Sequence, residues 1–253
     1  MKNFRTSFYT FYKNIQKIIV PDLRNSQYHY RDELRELLDP KNLWLDLGCG
    51  RQLFPDWMPN LKNIQKNLFA RCQYYIGIDY DLASLHDNKL TKSKIFGNIE
   101  QLPIRSGSMD VVSSNMVVEH VKDPDNLFLE VKRVLKSDGV FIFHTANLLN
   151  YGTFLSKLIP QGIKNRIIKY LENRDDEDVF PTYYRINTPS KIVHFGRKFG
   201  FEIIDMNMVN SSAELVNLGP LVIFELILIW FFNMRLFKNF RSNIICCMKK
   251  RQD

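Results

Sequence analysis

Short apolar runs alternate along this chain with stretches in which apolar residues return every three or four positions. The runs predict strands at Leu43–Leu47, Tyr74–Asp79, Lys94–Gly97, Met109–Ser114, Gly139–Thr145 and Phe201–Met208, with a last one at Ser242–Met248. The clearest helix between them is Pro124–Leu135, where Leu127, Phe128, Val131 and Leu135 form one stripe. Leu53–Arg71 is longer than a tight connection needs, and predicts a helix with irregular chain around Pro55 and Pro59. Ahead of the first strand, Phe4, Phe8, Phe11, Ile15 and Ile18 recur at helical spacing among Lys2, Arg5, Lys13 and Lys17, a basic amphipathic helix that Pro21 stops. A second helix, Tyr28–Leu38, ends at Asp39-Pro40. Strands alternating with helices imply a mostly parallel sheet covered on both faces. Ligands of such sheets bind at the carboxyl ends of the strands.

Two of those ends carry chemistry. Leu43-Trp44-Leu45-Asp46-Leu47 runs into Gly48-Cys49-Gly50, and the strand Tyr74–Asp79 ends in a carboxylate. Glycine lets a ligand approach the backbone closely because it lacks Cβ. An acidic residue after the neighbouring strand can accept from a ribose diol. The pair predicts a nucleoside cofactor. A dinucleotide fits poorly, because Gly50 is followed by Arg51-Gln52-Leu53, with no third glycine, and Asp79 comes later than the fingerprint requires. No phosphate-loop motif is present in the sequence. S-adenosylmethionine, which has no pyrophosphate, needs neither feature.

At 253 residues with 45% hydrophobic content, the chain suits one domain with additions. We expect an N-terminal helical extension over residues 1–40, then a catalytic domain over 41–253 with an apolar helical insertion at about 213–240. Cys49, Cys72, Cys246 and Cys247 lack C-x-x-C spacing, so neither a metal site nor a disulfide framework is indicated. Met1–Val20 lacks the continuous apolar core of a secretory signal, and a cytoplasmic protein is expected. The net charge of +8 points to an anionic partner, and charge alone does not choose between membrane and nucleic acid.

Leu45-Asp46-Leu47-Gly48-Cys49-Gly50 resembles the first motif of the class I S-adenosylmethionine-dependent methyltransferases, and the order and spacing of later motifs match that family from Leu43 to Met208. The resemblance implies a Rossmann-like α/β fold with a seven-stranded, mostly parallel sheet, helices on both faces and terminal helical additions. It implies S-adenosylmethionine as cofactor, held by Asp46 near the ammonium, by Gly48, Cys49 and Gly50 along the methionine part, and by Asp79 on the ribose. Tyr80 would cover the adenine, Ile99 would pack on it, and Asn98 stands where the family usually has Asp bonding its amino group. Met109–Val121, which includes Asn115, supplies the strand and loop facing the donor methyl. His120 follows that strand and is the candidate general base, with His144 second; positioning without any base is also compatible with this family.

The acceptor is less legible. Ser113-Ser114-Asn115-Met116 is not the [DN]-P-P-[YF] loop of base amino methylation, and no reading module accompanies the domain, so nucleic acid is disfavoured. Pro181–Thr188 precedes a helix in the region that closes over the acceptor in this family, after an Arg174–Asp178 charge run that reads as solvated loop. Leu218–Phe232 carries one ionisable group, Glu225, and is too short to span a bilayer. If Ser242–Met248 pairs in the sheet, the chain returns to the side it left and a single crossing is excluded. The apolar segment then walls an acceptor pocket, completes the core, or rests in a membrane interface. These features point to O- or C-methylation of a small-molecule or lipid-linked acceptor, with peripheral attachment to the inner membrane surface an added expectation. A methyltransferase acting on a macromolecule and a degenerate cofactor-fold binding protein are the alternatives.

Overall fold

The computed structural model describes residues 2–153, 181–213 and 220–251. The elements are α1 (Lys2–Ile19), α2 (Ser26–Leu37), β1 (Leu43–Leu47), α3 (Leu61–Phe69), β2 (Tyr74–Asp79), α4 (Leu82–Asp87), β3 (Lys94–Phe96), β4 (Met109–Asn115), α5 (Pro124–Val134), β5 (Leu135–Ala146), α6 (Pro189–Lys198), β6 (Phe201–Val209), α7 (Leu221–Asn233) and β7 (Asn243–Lys250), with 3-10 turns at Val118–His120 and Arg235–Phe240. All seven predicted strands form. The predicted charge run Arg174–Asp178 and the start of the apolar segment, Leu218 and Gly219, lie outside the described residues.

One sheet holds the strands in the order β3-β2-β1-β4-β5-β7-β6. β1 pairs in parallel with β2 and β4, β2 with β3, and β4 with β5. β7 runs the other way. Its end meets the start of β6 where Arg251 N donates to Gly200 O, and its Lys250 Nζ donates 2.8 Å to Leu135 O at the start of β5. The family-type reversal between β1 and β4 places the switch point beside the Gly48–Gly50 turn.

β5 begins earlier than predicted. Leu135–Asp138 is strand rather than helix end and turn, and the register shifts between the pairs Met109–Leu135 and Val111–Val140. Asp138 sits at φ 66° in that irregularity. α5 itself starts cleanly because Asp123 accepts from the Asp125 and Asn126 amides and Pro124 needs no partner for a missing N–H.

The chain divides into two compact units: Met1–His29 with Asn147–Pro181 and Met208–Asn243, and Tyr30–Ala146 with Thr182–Asn207 and Ile244–Asp253. The division falls within α2, whose Tyr30 and Leu34 are buried, Tyr30 stacking on His144 at 5.6 Å. In the first unit α1 and the apolar segment share a core of Tyr12, Val20, Ala213, Val222, Leu226 and Ile229. In the second unit the sheet buries Trp44, Leu45, Leu47, Ile78, Val112 and Phe143. Phe128 of α5 stacks on Phe195 and Phe199 at 5.5 and 5.7 Å and meets Phe201 edge-on, which fixes α6 against α5. No described helix is long and apolar enough to cross a membrane.

Candidate active site

The turn after β1 is held by β2. Gly48 N and Cys49 N both donate to Ile78 O, at 2.8 and 3.1 Å. Gly50 N donates 2.8 Å to Asp79 Oδ2, and Asn88 Nδ2 donates 2.9 Å to Gly50 O. The other carboxylate oxygen of Asp79 accepts from Asp81 N at 2.8 Å. The glycine turn and the carboxylate are thus one structure. Burial pushes the Asp79 carboxyl up from its ordinary value, against the backbone bonds from Asp81 and Gly50.

The two glycines have different reasons to be there. Gly48 sits at φ 70°, and a Cβ on it would lie 2.3 Å from Val117 Cγ2. A larger residue here would have to displace the Val117 side chain. Gly50 sits at φ 47° with nothing within 4 Å of its Cβ position. Here the open space belongs to whatever occupies the site. Cys49 turns inward, and a Cβ on Gly77 would come within 2.7 Å of its sulfur. It packs the turn onto β2, and burial raises its thiol far above the thiolate range.

Asp46 also faces inward. It is 3% exposed and accepts from Ser113 Oγ and, at 3.1 Å, from Tyr75 OH, while Trp44 Nε1 donates 2.8 Å to the same Ser113 oxygen. Burial pushes its carboxyl up to about 7; the hydrogen bonds from Ser113 and Tyr75 work against this, and the charge of Asp79 adds to it.

Tyr80, 55% exposed, follows Asp79, and burial with the charges of Asp79, Asp81 and Tyr183 raises its phenol. Asn98 is exposed after β3, where its side-chain oxygen accepts 2.9 Å from Glu100 N; Ile99 beside it is half-buried. Glu100 and Glu130 frame that loop: Glu100 Oε1 accepts from Lys122 N and Asp123 N, and Glu130 Oε2 accepts 2.6 Å from Leu102 N. Asn115 at the end of β4 donates 2.8 Å to Leu53 O, and its oxygen lies 2.8 Å from His144 Nδ1. Its side chain braces the segment after the glycine turn. His144 is fully buried under Tyr30, whereas His120 is half-buried on the 3-10 turn after β4.

Sequence reasoning passed over Glu119. Its carboxylate is buried and accepts 2.7 Å from Thr145 Oγ1, and Asn187 Nδ2 donates 2.6 Å to that threonine oxygen. Burial raises its carboxyl, while the neighbouring His120 works against the rise. The backbone amides of Tyr183 and Tyr184 donate to Glu119 O at 2.8 and 3.1 Å, so the segment expected to close over an acceptor is moored beside His120. The signal was an acid directly before a histidine after an apolar run, and only the fold shows its partners. Val117, Asn88 and Gly77 carried no signal of their own.

Residues 45–143 match the methyltransferase domain family. Over these residues the chain is similar to S-adenosylmethionine-dependent methyltransferase domains, and S-adenosylmethionine is the cofactor that the names of such similar proteins give. The chain is 41% identical over 137 residues to a malonyl-[acyl-carrier protein] O-methyltransferase of Methylovorus sp. (strain MP688), covering 47% of this chain and 43% of that one. It is 25% identical over 171 residues to the ubiquinone biosynthesis O-methyltransferase of Acinetobacter baylyi, covering 64% of each. The matches thus span less than two thirds of either relative. In fold it is similar to an S-adenosylmethionine-dependent methyltransferase from Mesorhizobium loti, with a TM-score of 0.53 at 16% identity over 87% of this chain and 96% of that one. The residues present fit the cofactor: an anionic acceptor tied to a glycine turn, an open Cβ position at Gly50, and an exposed Tyr80 beside them.

Proposed function

We propose that this methyltransferase transfers a methyl group to an oxygen or carbon of a small-molecule or lipid-linked acceptor. The observation that carries the reading is the bond from Gly50 N to Asp79 Oδ2, which joins the turn and the ribose acceptor into one cradle. Names of the similar relatives, malonyl-[acyl-carrier protein] O-methyltransferase and ubiquinone biosynthesis O-methyltransferase, support an oxygen acceptor.

When bound, S-adenosylmethionine supplies an electrophilic methyl on a sulfonium. The chain's work is alignment in a site that excludes water, which alone contributes about 7–11 kcal/mol to lowering the barrier. Asp79 would accept from the ribose hydroxyls with lone pairs left over from its two amide partners. Gly50 leaves room beside the turn. Cys49 and Asp46 pack the turn from the buried side. Asn98, Ile99 and Tyr80 would hold the adenine end. Tyr183 and Tyr184, moored on Glu119, border the acceptor side. With an oxygen acceptor, His120, the half-buried imidazole on that side, would take the hydroxyl proton.

Calorimetry with S-adenosylhomocysteine tests the cradle: the parent binds, and Asp79→Ala, still folded, binds at least about tenfold more weakly through loss of charge-assisted bonds. Absence of binding by the folded parent would leave a scaffold with no donor. Incubation with methyl-labelled cofactor and a lipid extract, followed by fractionation, tests the acceptor class; label appearing only in added protein or nucleic acid would overturn it.

A further inference from the structure

Helix α7 has its polarity inverted. Its sole ionisable residue, Glu225, is 1% exposed and accepts 2.7 Å from Tyr151 OH, in the row with Val222, Leu226 and Ile229 that packs on Tyr12 and Val20. The opposite row is entirely apolar: Phe224 is 58% exposed, Ile227 48% and Trp230 50%, with Leu221 and Phe231 alongside. A helix resting against water shows the reverse arrangement. The apolar surface continues past the helix into Met234, Leu236 and Phe240, Leu236 at 84% exposure. On α1 of the same unit, Phe11 and Ile18 are exposed seven residues apart. Contiguous exposed apolar surface of this kind marks an interaction face.

Charge and length identify the occupant. Arg235 and Lys238 are exposed in the turn that follows α7, and Lys17 is exposed on α1. The sequence of Met1–His29 and Met208–Asn243 holds eight Lys or Arg against three Asp or Glu, one of which is the inward Glu225. Thirteen residues of helix span about 20 Å, short of the roughly 30 Å hydrocarbon layer. β7 then rejoins the sheet directly after the turn. The exposed cations stand directly after the apolar face in sequence and on the helix packed against it, the complement of an anionic lipid surface. We infer that the outer face of α7 lies in the plane of an anionic lipid bilayer, with Phe224, Ile227 and Trp230 at the boundary of headgroups and acyl chains and Arg235, Lys238 and Lys17 among the phosphates. Trp230 is suited to that depth, since an indole has an apolar body and a polar N–H. The inference does not need the acceptor to be a lipid.

The test is co-sedimentation of the full chain with vesicles of phosphatidylglycerol and phosphatidylcholine in equal parts, at low and high salt. The parent pellets at low salt, less at high salt, and at least about tenfold less with phosphatidylcholine alone, as expected of several surface cations each favouring anionic lipid. In a Trp57→Phe background, which leaves Trp230 and the fully buried Trp44, the emission shifts to the blue on adding these vesicles, and not in Trp57→Phe/Trp230→Phe. Phe224→Ser/Trp230→Ser, which alters only exposed positions, lowers the partition at least about tenfold through lost apolar burial. The same variant binds S-adenosylhomocysteine in buffer as the parent does, which separates this outcome from a failure of the donor site. A parent that stays in the supernatant overturns the inference, as does a double variant that pellets like the parent. Light scattering that shows a lipid-free dimer dissolved by the double variant would give the face to a second copy instead.

Discussion

At the scale of single residues, the two glycines of the turn carry separable burdens. Gly48→Ala meets Val117 and an unfavourable φ together, so we expect a loss of stability of about 2 kcal/mol or more in urea unfolding, with Val117→Ala recovering part of it. Gly50→Ala meets no protein atom, so its stability cost stays near the roughly 1–2 kcal/mol of a left-handed alanine while S-adenosylhomocysteine affinity falls further than that. Equal affinity of Gly50→Ala and the parent would show the open space to be unused. Asp46 makes a second prediction. Its folded carboxyl titrates at about 7 against an ordinary 3.8, and Glu33 at about 7 against 4.5, both raised first by burial. A carboxyl raised on folding binds more protons in the native state, so its contribution is complete below the unfolded value and is lost as pH rises through the folded one. Unfolding free energy should therefore decline between about pH 4 and 7, by at most roughly 1.4 kcal/mol per pH unit for each group. Asp46→Asn, measured by denaturation across that range, should flatten part of the slope.

At the scale of elements, the loop that carries Asn98 and Ile99 is kept in place by α5. Arg133 donates to Leu102 O at 2.9 Å and Ile104 O at 2.7 Å while paired with Glu130, and Glu130 accepts from Leu102 N. The pairing lowers the Glu130 carboxyl below its ordinary value through the Arg133 hydrogen bond. Arg133→Ala should speed amide exchange over Leu102–Gly107 and weaken S-adenosylhomocysteine binding several-fold without abolishing it; unchanged exchange would show the loop to be held otherwise. This clamp also marks where sequence reading stops. Apolar runs such as Trp44–Leu47 and Val111–Val112 announce strands because both faces of a parallel sheet are buried, and the glycine turn with Asp79 announces the cradle. Arg133 reads in sequence as one more base at a helix end. Likewise Cys49 on Gly77, Val117 over Gly48 and Asn88 on Gly50 O are meetings between residues far apart in the chain, with no local pattern to reveal them. The start of β5 was misjudged because Lys136-Ser137-Asp138 has turn chemistry and the irregular register absorbs it as strand.

At the scale of the whole molecule, the two units are each assembled from pieces distant in sequence. Helical periodicity identified α1 and the apolar composition identified α7, but their shared core of Tyr12, Val222, Leu226 and Ile229 could be seen only in three dimensions. β7 has the same character. It fills the slot between β5 and β6, and Ile244, Ile245, Cys246 and Met248 are completely or almost completely buried there. We expect Ile245→Asp, which sets a charge among these side chains, to leave little soluble folded protein, judged by circular dichroism and calorimetry; a cooperative unfolding transition near that of the parent would contradict this.

The placement of β7 also orders events on the ribosome. Strands β2 to β5 can pair as they emerge, because each finds a neighbour among strands already made. β6 has no such neighbour when it leaves the exit tunnel, since the strand that flanks it has yet to be translated. Throughout synthesis of the apolar helix, nascent chains therefore present an unpaired β6 and an incomplete sheet edge at β5. A translational pause in that interval would prolong the exposure that chaperones guard against.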